Sequence, residues 1–405
     1  MQFQSNPKNV AGNPVRMLCL LWLGGTAMRI TILAVPPLIP LIHDDLHMTE
    51  TQVGFLVGLP LLVFALAAVP GSLLIARLGV AATLLLGLLA TGFAGAGRGA
   101  AGTILELFAA TAVMGFGVAI LQPAFPALVR QWLPERVALG TTTVTNGMLA
   151  AVLVAPALTP LLLPLVGNSW RLALMVWALP VLVTALAFWY LATRQRTQNA
   201  LPTPTPDGDT IVPRWWPDWK SPLTWLLGLT FGSNNAAYFG ANAFLPDYLA
   251  AQGRTDLVGP TIAFLNGAQF VASVSLLLVA NRFGNFGRSA LPYLVFGPLT
   301  FAAFVGIIVT SGYWIVACAT LVGFASAITF AVILALPPML SQSGDVPRVA
   351  AGMFTISYSC AVAIPTLSGA LWDITGRPWT AFVPLSLCAI TLTVLGWRLS
   401  RYRSK

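Results

Sequence analysis

Arg29 stands twelve residues from either end of an apolar run that extends from about residue 17 to 41. At the rise of an α-helix, that separates the guanidinium from either end by about 18 Å. Snorkelling does not bridge such a distance. A central arginine costs about +2.5 to +3.5 kcal/mol on insertion scales, so it has to face a cavity or a partner. The acids that fall inside apolar segments are Glu106 and Asp247, and both sit near segment ends, several turns from the middle. A planar fork of N–H donors with no acid at its depth suits a carboxylate-, nitrate- or cyanate-like anion. With no second central cation in view, a single negative charge fits better than two.

Neutral polar residues recur at helical spacing around this depth. Asn235, Tyr238 and Asn242 lie at i, i+3 and i+7 with Asn234 adjacent, and Asn266, Gln269 and Ser273 repeat the interval. Gln122, the pair Thr142 and Asn146, and the group Thr355, Tyr358 and Ser359 complete the set. A lone serine or threonine in such a place reads as an interhelical hydrogen bond. The expected binding residues are Arg29, Gln122, Asn146, Asn235, Tyr238, Asn242, Asn266, Gln269 and Tyr358. Trp22, Phe239 and Phe354 are expected as apolar walls. Glu106 and Asp247 are the candidates for proton coupling, since a carboxylate removed from water can take up and release a proton. His43 and His47 have an i, i+4 spacing that a metal could use, but they belong to an acidic turn between apolar runs, and no metal or cofactor is expected. No acid–base pair or nucleophile motif lies at the depth of Arg29, which argues against an enzyme.

The elements that must carry these residues follow from composition. Of 405 residues, 57% are hydrophobic and 8% charged, with mean hydropathy +0.82. Soluble domains carry roughly 25% charged residues. The apolar residues form long runs rather than stripes, the mark of helices solvated by lipid. Twelve runs are read at about 17–41, 52–75, 80–97, 103–129, 138–165, 170–192, 222–250, 259–280, 289–310, 312–340, 349–371 and 379–398. The fold class expected is therefore an all-α membrane protein. The polar, proline-rich stretch 193–221 divides it into a first bundle of six spans (1–192), a linker and a second bundle of six (222–405). The first run is too long for a signal-peptide core and reads as a retained span. Cys19, Cys318, Cys360 and Cys388 have no ligand or disulfide-framework spacing.

Charge gives the orientation. With a cytoplasmic N-terminus, sixteen basic residues fall on the cytoplasmic side and four (Arg98, Arg171, Arg254 and Arg377) on the other; the twenty-first is Arg29. The net charge of +9 thus reports topology, not nucleic-acid binding.

The halves resemble each other. Arg77-Leu78-Gly79 matches Arg282-Phe283-Gly284, and Arg136-Val137-Ala138-Leu139-Gly140 matches Arg348-Val349-Ala350-Ala351-Gly352, at offsets of 205 and 212 residues. Two parallel six-helix repeats with a midplane site describe the major facilitator architecture. Particular residues narrow this. Ala27-Met28-Arg29 with Pro37-Leu38-Ile39-Pro40, Gly54 to Pro60, Gln122-Pro123-Ala124-Phe125-Pro126 and Phe244-Leu245-Pro246 resemble the branch of that superfamily named for cyanate and nitroimidazole transporters. The loop signature after the second span departs from the family pattern, with Ala76 in the usual acidic position before Arg77. The resemblance implies alternating-access transport across a bacterial inner membrane, with spans one, four, seven and ten lining the cavity and a monomer in the lipid bilayer. The reading carried forward is a secondary transporter of a small monoanion bound by Arg29. Efflux of a weakly polar, drug-like or nitroaromatic compound is the alternative, and a non-transporting membrane sensor is the second alternative.

Overall fold

The computed structural model describes residues 14–133, 136–196, 217–280, 290–334, 336–341 and 346–402. Lipid offers no hydrogen-bond partner to a backbone, so each apolar segment satisfies its own amides and carbonyls as a helix. Along the chain these are α1 (Pro14–Leu33), the short α2 (Ile39–Leu46), α3 (Glu50–Leu78), α4 (Val80–Gly97), α5 (Ile104–Trp132), α6 (Val137–Leu162) and α7 (Trp170–Arg196). There follow α8 (Pro222–Ala251), α9 (Val258–Ala280), α10 (Leu291–Val309), α11 (Tyr313–Leu334), the short α12 (Pro337–Leu340), α13 (Val346–Thr375) and α14 (Phe382–Ser400). Leaving out α2 and α12, the twelve long helices match the twelve expected spans.

Among the described residues, ten segments are long and apolar enough to cross a membrane, the first of them joining α1 to α2 as Val15–Leu46. Neither α9 nor α8 is among them; in α8, Asn234, Asn235, Asn242 and Asp247 lower the hydropathy. α8 is also buried almost from end to end, between Leu223 and Leu249. A polar helix in a membrane protein belongs inside the bundle, shielded by its apolar neighbours.

Three boundaries differ from the expectation. The first span is broken: α1 stops at Leu33, a single 3-10 turn spans Pro36–Leu38, and α2 continues from Ile39. Two successive prolines remove two amide donors and cannot continue the ladder. Arg29 therefore lies one turn before a helix end, not at the centre of an unbroken span. The tenth span likewise ends at Leu334, and Pro337 opens the separate α12. In place of a linker beginning at residue 193, α7 runs on to Arg196; residues 197–216 lie outside the described residues.

α1 packs on α6, α9 on α11, and α8 on α13. The halves meet chiefly through α3 with α13 and α6 with α9, and α8 also touches α3 and α2. Close approach depends on small residues. At Gly147 of α6 an added Cβ would lie 2.1 Å from the carbonyl oxygen of Trp22, so any side chain there would push α1 away.

Candidate functional site

Cys19, Trp22, Thr26 and Arg29 share one face of α1 and keep some exposure, while Leu21, Gly24, Gly25 and Met28 between them are buried. Trp22 and Thr26 on that face bond to α6, and Arg29 lies near residues of the second half. Among the described residues, the Arg29 guanidinium takes part in no hydrogen bond or ion pair. Its charge is felt at two phenols, Tyr238 of α8 and Tyr358 of α13. Three helices thus converge on one cation whose donors are free.

Each phenol is held by amides. Tyr238 donates to Asn266 Oδ1, and Asn266 Nδ2 in turn donates to Asn242 Oδ1 at 3.0 Å and to the Ile262 carbonyl at 2.8 Å. Gln269 Nε2 reaches Asn266 Oδ1 at 3.4 Å. On the other side Gln122 of α5 lies close to the Tyr358 hydroxyl. The Tyr358 ring stacks on Phe354, with centroids 5.8 Å apart, and meets Phe64 edge-on at 6.0 Å. Phe239 packs against Tyr238 at 5.0 Å. Cation, amides and aromatic faces therefore sit together on α1, α5, α8, α9 and α13.

Two expected members lie apart. Asn146 accepts from Trp22 Nε1 at 2.9 Å, seven residues and about 10 Å along α1 from Arg29. Asn235 donates to Ser357 Oγ at 2.8 Å, a buried tie between α8 and α13. Glu106 is exposed and accepts from the amides of Gly102 and Thr103, completing a capping box at the start of α5. It lacks the burial that a membrane proton site requires.

Asp247 is buried and bonded to His43 Nδ1 at 2.9 Å, linking α8 of the second half to α2 of the first. Glu50 stands beside them, its Oε1 3.8 Å from the same nitrogen; it is 5% exposed and its Oε2 has no partner. The three offer ligand atoms within 4.8 Å of one another. Two ligands on one tetrahedral zinc would stand about 3.3 Å apart, so the 2.9 Å contact is spaced as a hydrogen bond. The i, i+4 histidines do not act together: His47 turns away in a left-handed cap (φ 50) that ends α2. Nearby, the Asp373 carboxylate of α13 accepts from the amides of Glu50 and Thr51, both at 2.9 Å, and from the Thr51 hydroxyl. One end of the molecule is thus sealed across the halves.

Sequence reasoning missed Glu50 and Arg98. Glu50 begins α3 within the capping box of Thr49 and Gln52, a signal that marks a helix start but says nothing of burial. Arg98, counted by charge among the four basic residues of the non-cytoplasmic side, is 1% exposed and donates to the Thr31 carbonyl at 2.7 Å.

These features define a polytopic helical membrane transporter, with a polar centre enclosed between two bundles. The family model of the Major Facilitator Superfamily matches residues 21–288, and the chain belongs to that superfamily. It is similar to the 2-nitroimidazole transporter of Escherichia coli (strain K12), 27% identical over 92% of each chain. It is also similar to the cyanate transport protein CynX of the same organism, 24% identical over 96% of this chain and 98% of the relative. Among solved structures, a bacterial homolog of the human lysosomal transporter Spinster superposes with TM-score 0.75 at 15% identity, covering 96% of this chain and 98% of that one. The resemblance to the cyanate and nitroimidazole branch holds, and the family consists of transporters, not enzymes.

Proposed function

We propose that this protein moves a small monoanion across the inner membrane by alternating access, with Arg29 binding the charge. The observation that carries the reading is a guanidinium between two phenols with its donors unspent. A buried arginine kept for structure is paired with an acid or with carbonyls. An arginine kept for a ligand holds its fork open, and Tyr238, Tyr358, Gln122 and Gln269 supply neutral donors around it. The cyanate relative agrees with an anion of a few atoms. The charge asymmetry of sixteen basic residues against four supports cytoplasmic N- and C-termini, which makes the end carrying His43, Glu50 and Asp373 the outer one. A monomer is proposed as the working unit.

A second reading has one observation in its favour. The aromatic faces of Phe354, Tyr358 and Phe239, together with the nitroimidazole relative, suit a flat, weakly polar ring for which Arg29 is a hydrogen-bond donor.

Uptake of cyanate, nitrate and short carboxylates into proteoliposomes, measured beside neutral analogues and 2-nitroimidazole, separates the two. Arg29→Ala is expected to lower anion uptake by about ten- to a hundredfold, given roughly 1.5–3 kcal/mol for a hydrogen bond to a charged group. Arg29→Lys is expected to restore only part, since an ammonium lacks the planar fork. Anion uptake unchanged in Arg29→Ala would overturn the primary reading.

A further inference from the structure

We propose that Arg98 forms a second anion subsite, sized for one halide-like monovalent ion, in a cavity at the seam between the two halves. The helix break in span one explains part of what Arg98 does. Thr31 is in the last turn of α1, its carbonyl has no amide to accept from, and Arg98 fills that vacancy as a C-terminal cap. One carbonyl occupies one of five guanidinium donors and leaves the charge uncompensated. Among the described residues no acid pairs with Arg98, and its Nε is buried without a partner. Removing such a charge from water costs several kcal/mol unless something opposes it.

A second group points the same way. Thr111 of α5 is 1% exposed and its hydroxyl also lacks a partner. Arg98 and Thr111 line one small cavity, of about 20 Å³, with Asn242, Phe239, Leu56 and Ile32. A cavity needs roughly 10–15 Å³ to hold one water-sized particle. The volume therefore admits one small ion. Water would satisfy the Nε–H and the hydroxyl but would leave the charge standing, whereas an anion meets both demands. The walls come from both halves, Arg98 and Thr111 from the first and Phe239 and Asn242 from the second. An ion bound there favours the sealed arrangement described above. The subsite does not depend on the identity of the transported solute. Its occupant could be a free inorganic anion or the leading atom of that solute, and the Arg29 variant distinguishes them.

The test is equilibrium binding of radiolabelled chloride to the purified full-length protein in gluconate buffer. Wild type is expected to bind chloride, and Arg29→Ala, which removes any binding at the central site, is expected to retain one equivalent, which marks a free inorganic anion away from that site. Thr111→Val keeps shape and removes one donor. It is expected to weaken binding by about tenfold, equivalent to about 1.4 kcal/mol, with no loss of thermal stability. Arg98→Gln, which keeps one neutral donor but removes the charge, is expected to abolish binding in the Arg29→Ala background. Absence of chloride binding by wild type would overturn the proposal. So would binding that persists in Thr111→Val and Arg98→Gln but disappears in Arg29→Ala, because that pattern belongs to the central site alone.

Discussion

Asn266 has no exposed surface and joins four groups: the buried Tyr238 hydroxyl, Asn242 side-chain oxygen and Ile262 carbonyl, and the half-buried Gln269 amide. Asn266→Leu keeps the volume but orphans at least the first two. At about 1–3 kcal/mol for each buried group left unpaired, the variant is expected to lose about 2–5 kcal/mol of stability, read as a fall in the thermal unfolding midpoint in detergent. Tyr238→Phe should cost less, because it removes a donor and leaves Asn266 with the Gln269 amide. If both substitutions act on the site through the same hydrogen bond, their effects on uptake will be less than additive. The spacing of Asn235, Tyr238 and Asn242 was legible in the sequence, and so was the solitary cation Arg29. What spacing could not say is which neighbour each side chain meets. Asn235 and Asn146 carry the same chemistry as Asn266 but spend it on Ser357 and Trp22. Arg98 was read as a topology marker because a charge beside a glycine-rich loop looks the same whether the loop lies in water or folds inward over a broken helix.

At the scale of elements, most of the long helices could be read from hydropathy, since lipid solvation leaves a continuous signature, and the polar residues of α8 dilute it there. The break in span one could not, because prolines occur inside several helices here without ending them: Pro123 and Pro126 lie within α5, and Pro156 and Pro160 within α6. The contact between α3 and α13 was equally hidden, as it joins segments some 300 residues apart. Gly54 faces the Pro365 carbonyl, and a Cβ there would stand 2.5 Å from that oxygen; at Gly369 a Cβ would be 2.2 Å from the Glu50 carbonyl. Backbone atoms are the obstacle in both cases, and backbone cannot swing aside as a side chain can. Gly54→Val is therefore expected to hold α3 and α13 apart and reduce transport by about tenfold or more. Gly97→Ala, with open space around its Cβ position, is expected to leave transport near wild type. Proteoliposome uptake at matched protein levels checks both. Equal activity in the two variants would mean that this seam does not close in the cycle.

For the whole molecule, transport requires that the sealed end also open, so the contacts holding it must be strong enough to close and weak enough to release. Its polar ties are few. His43 meets Asp247, and the Asp373 carboxylate caps the first turn of α3 across the halves. A carboxylate at a helix N-terminus gains from charge-assisted bonds and from the helix dipole. Asp373→Asn retains one acceptor oxygen but loses the charge and the second acceptor. Asp373 is solvent-exposed, so the loss should be about 1 kcal/mol, or roughly a fivefold shift of the open-to-closed ratio. Spin labels on cysteines replacing His47 and Gln252, both exposed and on opposite halves of this end, would report that ratio as a distance distribution. The native cysteines Cys19, Cys318, Cys360 and Cys388 are free and would first be replaced by serine or alanine. Asp373→Asn is expected to move population from the short to the long distance, and Glu50→Gln, which leaves the amide of Glu50 bound to Asp373, to move it less. A distribution that ignores Asp373→Asn would assign the seal to apolar packing of α3 on α13, leaving the polar ties without a share in the transition.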